Sequence, residues 1–130
     1  MELEGKVAVI TGGAVRIGRT LTLALAEAGC HVFIHYGHSI NPAEQTRAEA
    51  QRLGVEAELY RANLLDPAET QRIIPAAVER FGRVDILINN AAVFPEEDKF
   101  AAVDLTLWDE IMAINLRAPF LLSQAFAAQI

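Results

Sequence analysis

The stretch TGGAVRIG, residues 11–18, decides how the chain folds. It follows the apolar, β-branched run KVAVIT (6–11), which predicts a buried strand. It precedes apolar residues at helical spacing, which are Ile17, Leu21, Ala24, Leu25 and Ala28. A strand that turns through glycines into a helix presents free backbone N–H groups and a positive dipole end, the arrangement that holds phosphate. Gly12, Gly13 and Gly18 provide the space, and Arg16 stands where a further glycine is expected.

The rest of the chain alternates in the same way between apolar runs and helical patterns. The predicted strands are 31–36, 56–62 and 84–89, and the predicted helices are 41–53, with Asn41 as N-cap, 66–81, closed by Gly82, and 106–130. This alternation predicts an α/β fold, a Rossmann-type doubly wound parallel sheet. It is partial, with about four strands and flanking helices, and residues 1–130 form one domain.

Composition excludes several kinds of partner. The net charge of −6 argues against a nucleic-acid partner, which needs a basic face. No apolar run approaches the roughly 20 residues of a membrane span, so no membrane partner is expected. Cys30 is the single cysteine, which permits no intrachain disulfide and fits a cytoplasmic location. Of the histidines His31, His35 and His38, two lie in a predicted strand rather than in a helix, so no metal is expected.

The end of the second strand indicates which dinucleotide the chain binds. NAD-binding domains usually carry Asp or Glu about 20 residues beyond the glycines, where it binds the ribose 2′-hydroxyl. The corresponding stretch FIHYGHS (33–39) contains no acid. Ser39 can donate a hydrogen bond, His38 can become cationic, and Arg16 is a permanent multidentate phosphate donor. These residues favour NADP(H); the alternative for Arg16 is a surface side chain opposed by the helix dipole.

These motifs resemble those of the short-chain dehydrogenase/reductase family across all 130 residues. TGGAVRIG matches the family's glycine motif, with Arg16 for the middle glycine. NNAA (89–92) matches its Asn-Asn-Ala-Gly motif, with Ala92 for the glycine, and Asn115 matches its catalytic asparagine. Within the family, HYGHS, NNAAVF and NLRAPFLLSQAFA are most similar to the pteridine reductases.

The resemblance implies an NADPH-dependent oxidoreductase that reduces a pterin or folate by hydride transfer. It places Phe94 against the pterin ring. It also implies that Asn115 binds a water molecule that takes part in the proton relay. The implied cofactor contacts run from the pyrophosphate to the nicotinamide: Gly12, Arg16 and Ile17; then His35, Tyr36, Gly37, His38 and Ser39 around the adenosine phosphate; then Asn63 and Leu64 at the adenine; and Asn90, Ala91 and Ala92 at the ribose and nicotinamide.

The last predicted helix, 106–130, is apolar on several sides. We expect it to contact a second subunit in a homo-oligomer as well as its own sheet, although a purely intramolecular core helix would show the same pattern. Pro119 follows Asn115 by four residues and cannot donate a hydrogen bond to its carbonyl. One hypothesis is that this carbonyl is thereby presented to the relay water; the alternative is a tolerated kink with Asn115 bonded locally.

The family's Tyr-x-x-x-Lys pair does not occur in this chain. Tyr36 and Tyr60 are followed at the fourth position by Ile40 and Leu64. We therefore expect the N-terminal portion of a longer enzyme, truncated, cleaved or completed by a second fragment, and inactive by itself. Two alternatives stay open: a reductase of another substrate, such as a 3-oxoacyl thioester or a sugar, and a non-catalytic nucleotide-binding module.

Overall fold

The computed structural model describes residues 1–96 and 99–130. Its four strands are β1 (Val7–Ile10), β2 (His31–Tyr36), β3 (Ala57–Arg61) and β4 (Ile86–Ile88). Its helices are α1 (Arg16–Glu27), α2 (Ile40–Arg52), α3 (Pro67–Phe81), α4 (Leu105–Met112) and α5 (Ala118–Ala128), with a short 3₁₀ turn at Phe100–Ala102 and a π-helical turn at Ala113–Arg117. All strand pairs are parallel, in the order β3-β2-β1-β4.

Helices cover both faces of this sheet. On one face, Val9 and Phe33 pack with residues of α3 and α5. On the other, Ile10 and Ile34 pack with residues of α1 and α2. Successive strand residues point to opposite faces, so a strand buried on both faces must be apolar throughout, as β1 is. The predicted doubly wound parallel sheet is therefore confirmed.

β4 forms an edge of the sheet, and its three residues are half-buried. An apolar sequence of this kind is typical of a central strand with neighbours on both sides.

The helix ends follow the predicted signals with one exception. Asp66 caps α3 by accepting the Ala68 N–H at 2.9 Å, and Gly82 ends it with a φ of 88°. The prediction of Asn41 as N-cap of α2 was wrong: the cap is Ser39, and Asn41 lies in the first turn. Pro42 permits this earlier start because N–H groups of a first turn need no intrahelical acceptor.

The predicted helix 106–130 is continuous but changes its winding in the middle. The π-helical turn lies between α4 and α5, and the Ala118 N–H donates to the carbonyl of Ala113, five residues back. Pro119, at the start of α5, lacks an N–H for the Asn115 carbonyl, and its ring crowds that carbonyl, so a wider turn relieves the clash.

The segment Leu105–Ala128 leaves a stripe of large apolar side chains exposed: Leu105, Trp108, Met112, Leu116 and Phe120. We call these five residues the apolar stripe. The segment has 24 residues, and an 18-residue window within it has a mean hydropathy of 1.3. By length and composition it could cross a membrane, contrary to the expectation from the apolar runs. Core helices of soluble proteins can have the same length and composition but are mostly buried; here Ala118 and Leu122 pack in the core, and 17% of the apolar window is buried.

Candidate nucleotide-binding site

The predicted site residues meet at the carboxyl edge of the sheet. Register pairs Ile10 with both Ile34 and Ile88, so the segments that follow β1, β2 and β4 leave the sheet side by side. The chain passes from β1 to β2 on one side, whereas β4 lies on the other. In open α/β sheets this reversal opens the crevice that binds ligands, and the glycine loop lies at it.

Steric contacts require glycine in this loop. Gly12 has a φ of 61°, which favours glycine. A Cβ on Gly18 would lie 1.9 Å from the Gly12 carbonyl oxygen and 2.6 Å from Asn90 Nδ2. A Cβ on Gly13 would lie 2.9 Å from Thr22 Oγ1. The first turn of α1 thus packs directly on the loop backbone.

The loop carbonyls are bound by the surrounding protein. Thr22 Oγ1 donates to the Gly13 carbonyl at 2.9 Å, and Thr46 Oγ1 donates to the Ala14 carbonyl at 2.7 Å. Asn90 Nδ2 donates to the Gly12 carbonyl at 3.1 Å. An anion would be repelled by carbonyl oxygens directed at it, so these bonds favour phosphate binding. Sequence reasoning missed these two threonines. Nothing in the sequence distinguishes a helix threonine that donates to a distant carbonyl from any other helix threonine.

The start of α1 has the properties of an anion site. Its N-cap is Val15, whose side chain makes no capping bond among the described residues, whereas Asp66 and Asp104 cap α3 and α4. The first N–H groups of a helix have no intrahelical acceptor. Arg16, the first residue of α1, is exposed and has a φ of 51°, the only positive φ at a non-glycine residue in the part of the chain that is described. A nucleotide phosphate fits here, because it would accept from these N–H groups and pair with the guanidinium.

The residues after β2 divide into exposed and enclosed ones. His38 and Ser39 are exposed and free of any acidic neighbour in sequence, while Tyr36 and Gly37 are half-buried. Arg61 Nε donates to the Gly37 carbonyl at 3.1 Å and fixes this turn. His35 is only 3% exposed, and both of its ring nitrogens bond inside the protein, so its side chain lies away from any surface that a phosphate could reach.

The residues predicted at the adenine lie after β3. Asn63 Oδ1 accepts the Leu65 N–H at 3.0 Å, and the Asn63 N–H donates to Glu69 Oε1 at 3.3 Å. The Leu64 side chain is buried in the core on the α3 face, so its backbone is what a nucleotide could contact.

Thr11 joins the glycine loop to the segment after β4. Its Oγ1 accepts the N–H groups of Asn90 and Ala91, each at 3.0 Å, and its carbonyl accepts from Asn90 Nδ2 at 3.0 Å. Ala91 is half-buried and Ala92 exposed, beside the glycine loop, where the nicotinamide half of a dinucleotide is expected. Sequence reasoning missed Thr11, although it immediately precedes the glycines.

Asn115 fixes the next part of the same segment. Its Oδ1 accepts the Val93 N–H at 2.8 Å, and its Nδ2 donates to the Val93 carbonyl at 2.9 Å. Phe94 follows and is 84% exposed. The side chain of Asn115 therefore orients the loop that presents Phe94, while its backbone lies in the π-helical turn; the role predicted for its carbonyl stays a prediction.

A groove of about 830 Å³ lies elsewhere, along the apolar stripe. Its lining residues are Leu65, Asp109, Glu110, Met112, Ala113, Leu116, Arg117 and Phe120. It contains none of the glycine-loop residues, so we place the nucleotide site by the strand ends and not by the size of this groove.

Comparison with known proteins agrees with this geometry. The family model for short chain dehydrogenases matches residues 6–130. The chain is 40% identical over 125 residues to the short-chain dehydrogenase/reductase FrzI of a Cladobotryum species, covering 95% of this chain and 47% of that protein. It is 34% identical over 127 residues to the L-rhamnose 1-dehydrogenase (NADP(+)) of Thermoplasma acidophilum, covering 98% and 50%.

Among solved structures, a short chain dehydrogenase from Burkholderia cenocepacia in complex with NADP superposes with a TM-score of 0.95 at 33% identity, over 100% of this chain and 53% of that one. None of these three proteins is named as a pteridine reductase. The chain spans about half the length of the relatives it matches. It belongs to the short-chain dehydrogenase family of oxidoreductases.

Proposed function

We propose that this chain is the NADP(H)-binding portion of a short-chain reductase. The observation that carries the proposal is Arg16, an exposed guanidinium at the uncapped start of α1, beside a β2 end without acidic residues. An acid in that position would repel a 2′-phosphate, whereas Arg16, His38 and Ser39 can each contact one. The NADP complex of the Burkholderia cenocepacia relative supports the same cofactor.

When bound, NADPH supplies a hydride. The residues of this chain position and shield it. Gly12 and Gly18 let the glycine loop pack closely against Ala91, Asn90 and the start of α1, and the free N–H groups of the first turn of α1 donate to the pyrophosphate. Asn90 holds the glycine loop against the segment after β4, and Asn115 holds Val93 and so fixes Phe94 beside the nicotinamide half of the site.

The test of the cofactor is titration with NADPH and NADH. Ser39→Asp introduces the missing acid, so we expect it to weaken NADPH binding and to reduce or reverse the preference over NADH. Arg47→Ala is the control, since Arg47 pairs with Glu44 on the exposed side of α2. Equal affinities of the wild type for the two nucleotides would contradict the proposal.

For the substrate we propose a planar pterin or folate ring. Phe94 offers an almost fully exposed aromatic face on a loop that Asn115 holds in place. The names of the relatives allow sugars as the rival class. Titration of the NADP⁺-loaded chain with a dihydropterin separates the two: Phe94→Ala should weaken binding at least tenfold and Phe94→Tyr should restore it, whereas a sugar site would bind no dihydropterin.

We propose further that the apolar stripe contacts a second copy of the chain, so that the protein is a homo-oligomer. We also propose that the protein is cytoplasmic. The stripe runs along one side of α4, the π-helical turn and α5, with its members three or four residues apart. The single cysteine, Cys30, is buried and leaves the chain without an intrachain disulfide, which fits a reducing compartment. Small-angle scattering of the purified chain tests the assembly.

A further inference from the structure

His35 makes two hydrogen bonds that fix the roles of both ring nitrogens. The Gly12 N–H lies 3.0 Å from Nδ1, and the Ala62 carbonyl oxygen lies 2.9 Å from Nε2. An amide N–H can only donate and a carbonyl can only accept, so Nδ1 must carry the lone pair and Nε2 the proton. The ring is satisfied only as the neutral, Nε2-protonated tautomer.

The backbone of the same residue holds the next glycine. The His35 carbonyl accepts the Gly13 N–H at 3.0 Å. One residue of β2 thus binds two successive amides of the glycine loop, one through its ring and one through its backbone. Gly12 has a φ of 61°, so its amide direction sets how the loop turns toward α1.

The surroundings keep the ring neutral. Burial lowers the pKa of His35 below its ordinary value, partly offset by the bond to Ala62. The surrounding segments are the glycine loop (11–18), the end of β2 (36–39), β3 with the turn into α3 (57–69), and the segment after β4 (89–95). Their titratable side chains are Arg16, Tyr36, His38, Glu58, Tyr60, Arg61, Asp66 and Glu69. Of these, Arg61 bonds to the Gly37 carbonyl and Glu69 to the Asn63 N–H, and in the described part of the chain no charged group bonds to the ring.

We propose that His35 is a positioning residue for the nucleotide site: as a neutral imidazole, it holds the Gly12 amide and thereby the loop geometry on which nucleotide affinity depends. This inference rests on the proposed nucleotide-binding function. Protonation at Nδ1 would set a donor against the Gly12 N–H, and that bond would be lost. Nucleotide affinity should therefore fall as the pH drops through the titration of this buried ring.

Two substitutions separate the two hydrogen bonds. The amide of Asn ends near the position of Nδ1, so His35→Asn can still accept from Gly12 but loses the Ala62 bond. The amide of Gln ends near the position of Nε2, so His35→Gln can still donate to Ala62 but loses the Gly12 bond. Each variant gives up one buried bond, which makes them matched in stability cost.

The experiment measures NADPH affinity of both variants at pH 7.5, with circular dichroism to compare their folding. We expect His35→Gln to bind at least tenfold more weakly than His35→Asn, and the affinity of His35→Asn to stay level with pH where that of the wild type falls. Equal affinities of the two variants would overturn the proposal.

Nitrogen-15 spectra of the nucleotide-free wild type provide an independent reading. They should show the Nε2-protonated tautomer and a Gly12 amide resonance that shifts as the ring titrates. An Nδ1-protonated ring would overturn the positioning role. If the wild type shows the expected tautomer but binds neither NADPH nor NADH, the proposed function fails while the hydrogen-bond assignment stands.

Discussion

Arg16 should cost the protein stability and give it affinity for NADPH. Its φ of 51° places an arginine in the left-handed region, which is unfavourable for a residue with a Cβ by about 1–2 kcal/mol. Replacement by glycine relieves this strain, but the greater freedom of glycine in the unfolded chain offsets about 0.4–1 kcal/mol of the gain. Arg16→Gly should therefore raise the free energy of unfolding by roughly 0.5–1 kcal/mol relative to Arg16→Ala, which keeps the strain.

The difference in stability between these two variants reports only the cost of the left-handed backbone conformation at position 16. Both lose the guanidinium and its unfavourable interaction with the positive end of the α1 dipole, so that contribution cancels. For a chain of this size, a difference of 0.5–1 kcal/mol corresponds to a melting temperature about 2–4 °C higher for Arg16→Gly, measurable by scanning calorimetry.

Both variants should lose NADPH affinity together. A hydrogen bond to a charged group contributes about 1.5–3 kcal/mol, so the dissociation constant should rise roughly 10- to 150-fold in each. Arg16→Lys retains the positive charge but not the planar guanidinium, so its NADPH affinity should lie between that of the wild type and that of the two other variants. The strain argument is refuted if Arg16→Gly melts no higher than Arg16→Ala, and the phosphate assignment is refuted if either variant binds NADPH like the wild type.

Four further outcomes are expected. Gly18→Ala should abolish NADPH binding and lower the melting temperature, because its Cβ would lie 1.9 Å from the Gly12 carbonyl oxygen, whereas Gly37→Ala, with open space around it, should melt like the wild type. Folding lowers the pKa of His35, so the unfolded chain takes up the proton at a higher pH than the folded protein does. The contribution of His35 to stability is therefore present above about pH 6.5 and is lost as the pH falls toward the folded pKa. The free energy of unfolding measured as a function of pH checks this. Leu116→Glu should dissociate any homo-oligomer in analytical ultracentrifugation, while Leu53→Glu, also on an exposed leucine, should not. Purified 1–130 should bind NADPH yet show no NADPH oxidation with any carbonyl or pterin substrate, since neither Tyr36 nor Tyr60 is followed by the lysine that would lower its pKa.

Local signals in the sequence predicted most of the fold. Apolar runs and glycine stops gave the four strands and the ends of α1 and α3, because Gly29 and Gly82 take positive φ values that few other residues adopt. The start of α2 was misplaced, since Ser39 and Asn41 are both residue types favoured at an N-cap, and Ser39 takes that position without a side-chain capping bond. The π-helical turn was not predicted: Pro119 indicated only a freed carbonyl or a kink, because sequence periodicity does not resolve one extra residue in a turn.

Most residues of the candidate site could be predicted from the sequence, but the hydrogen bonds that connect them could not. The glycine motif and the family resemblance predicted Gly12, Arg16 and Asn90 as cofactor contacts. The sequence could not show that Thr22 and Thr46 reach back to loop carbonyls, since those bonds span 9 and 32 residues. His35 was assigned with its neighbours to the phosphate surface, and only the parallel register of β2 reveals that its side chain alternates into the interior.

Hydrogen bonds from α1, α2, β2 and the segment after β4 hold the glycine loop in place. α1 and α2 hold its carbonyls through Thr22 and Thr46, β2 holds its amides through His35, and the segment after β4 holds it through Asn90. A loop fixed in this way needs little ordering when a ligand binds, and binding that requires little ordering retains more of its interaction energy as affinity. The strain at Arg16 persists for the same reason, because the surrounding bonds determine the backbone whatever side chain it carries. Preorganisation of the loop and strain at its one charged residue are therefore two consequences of a single set of contacts.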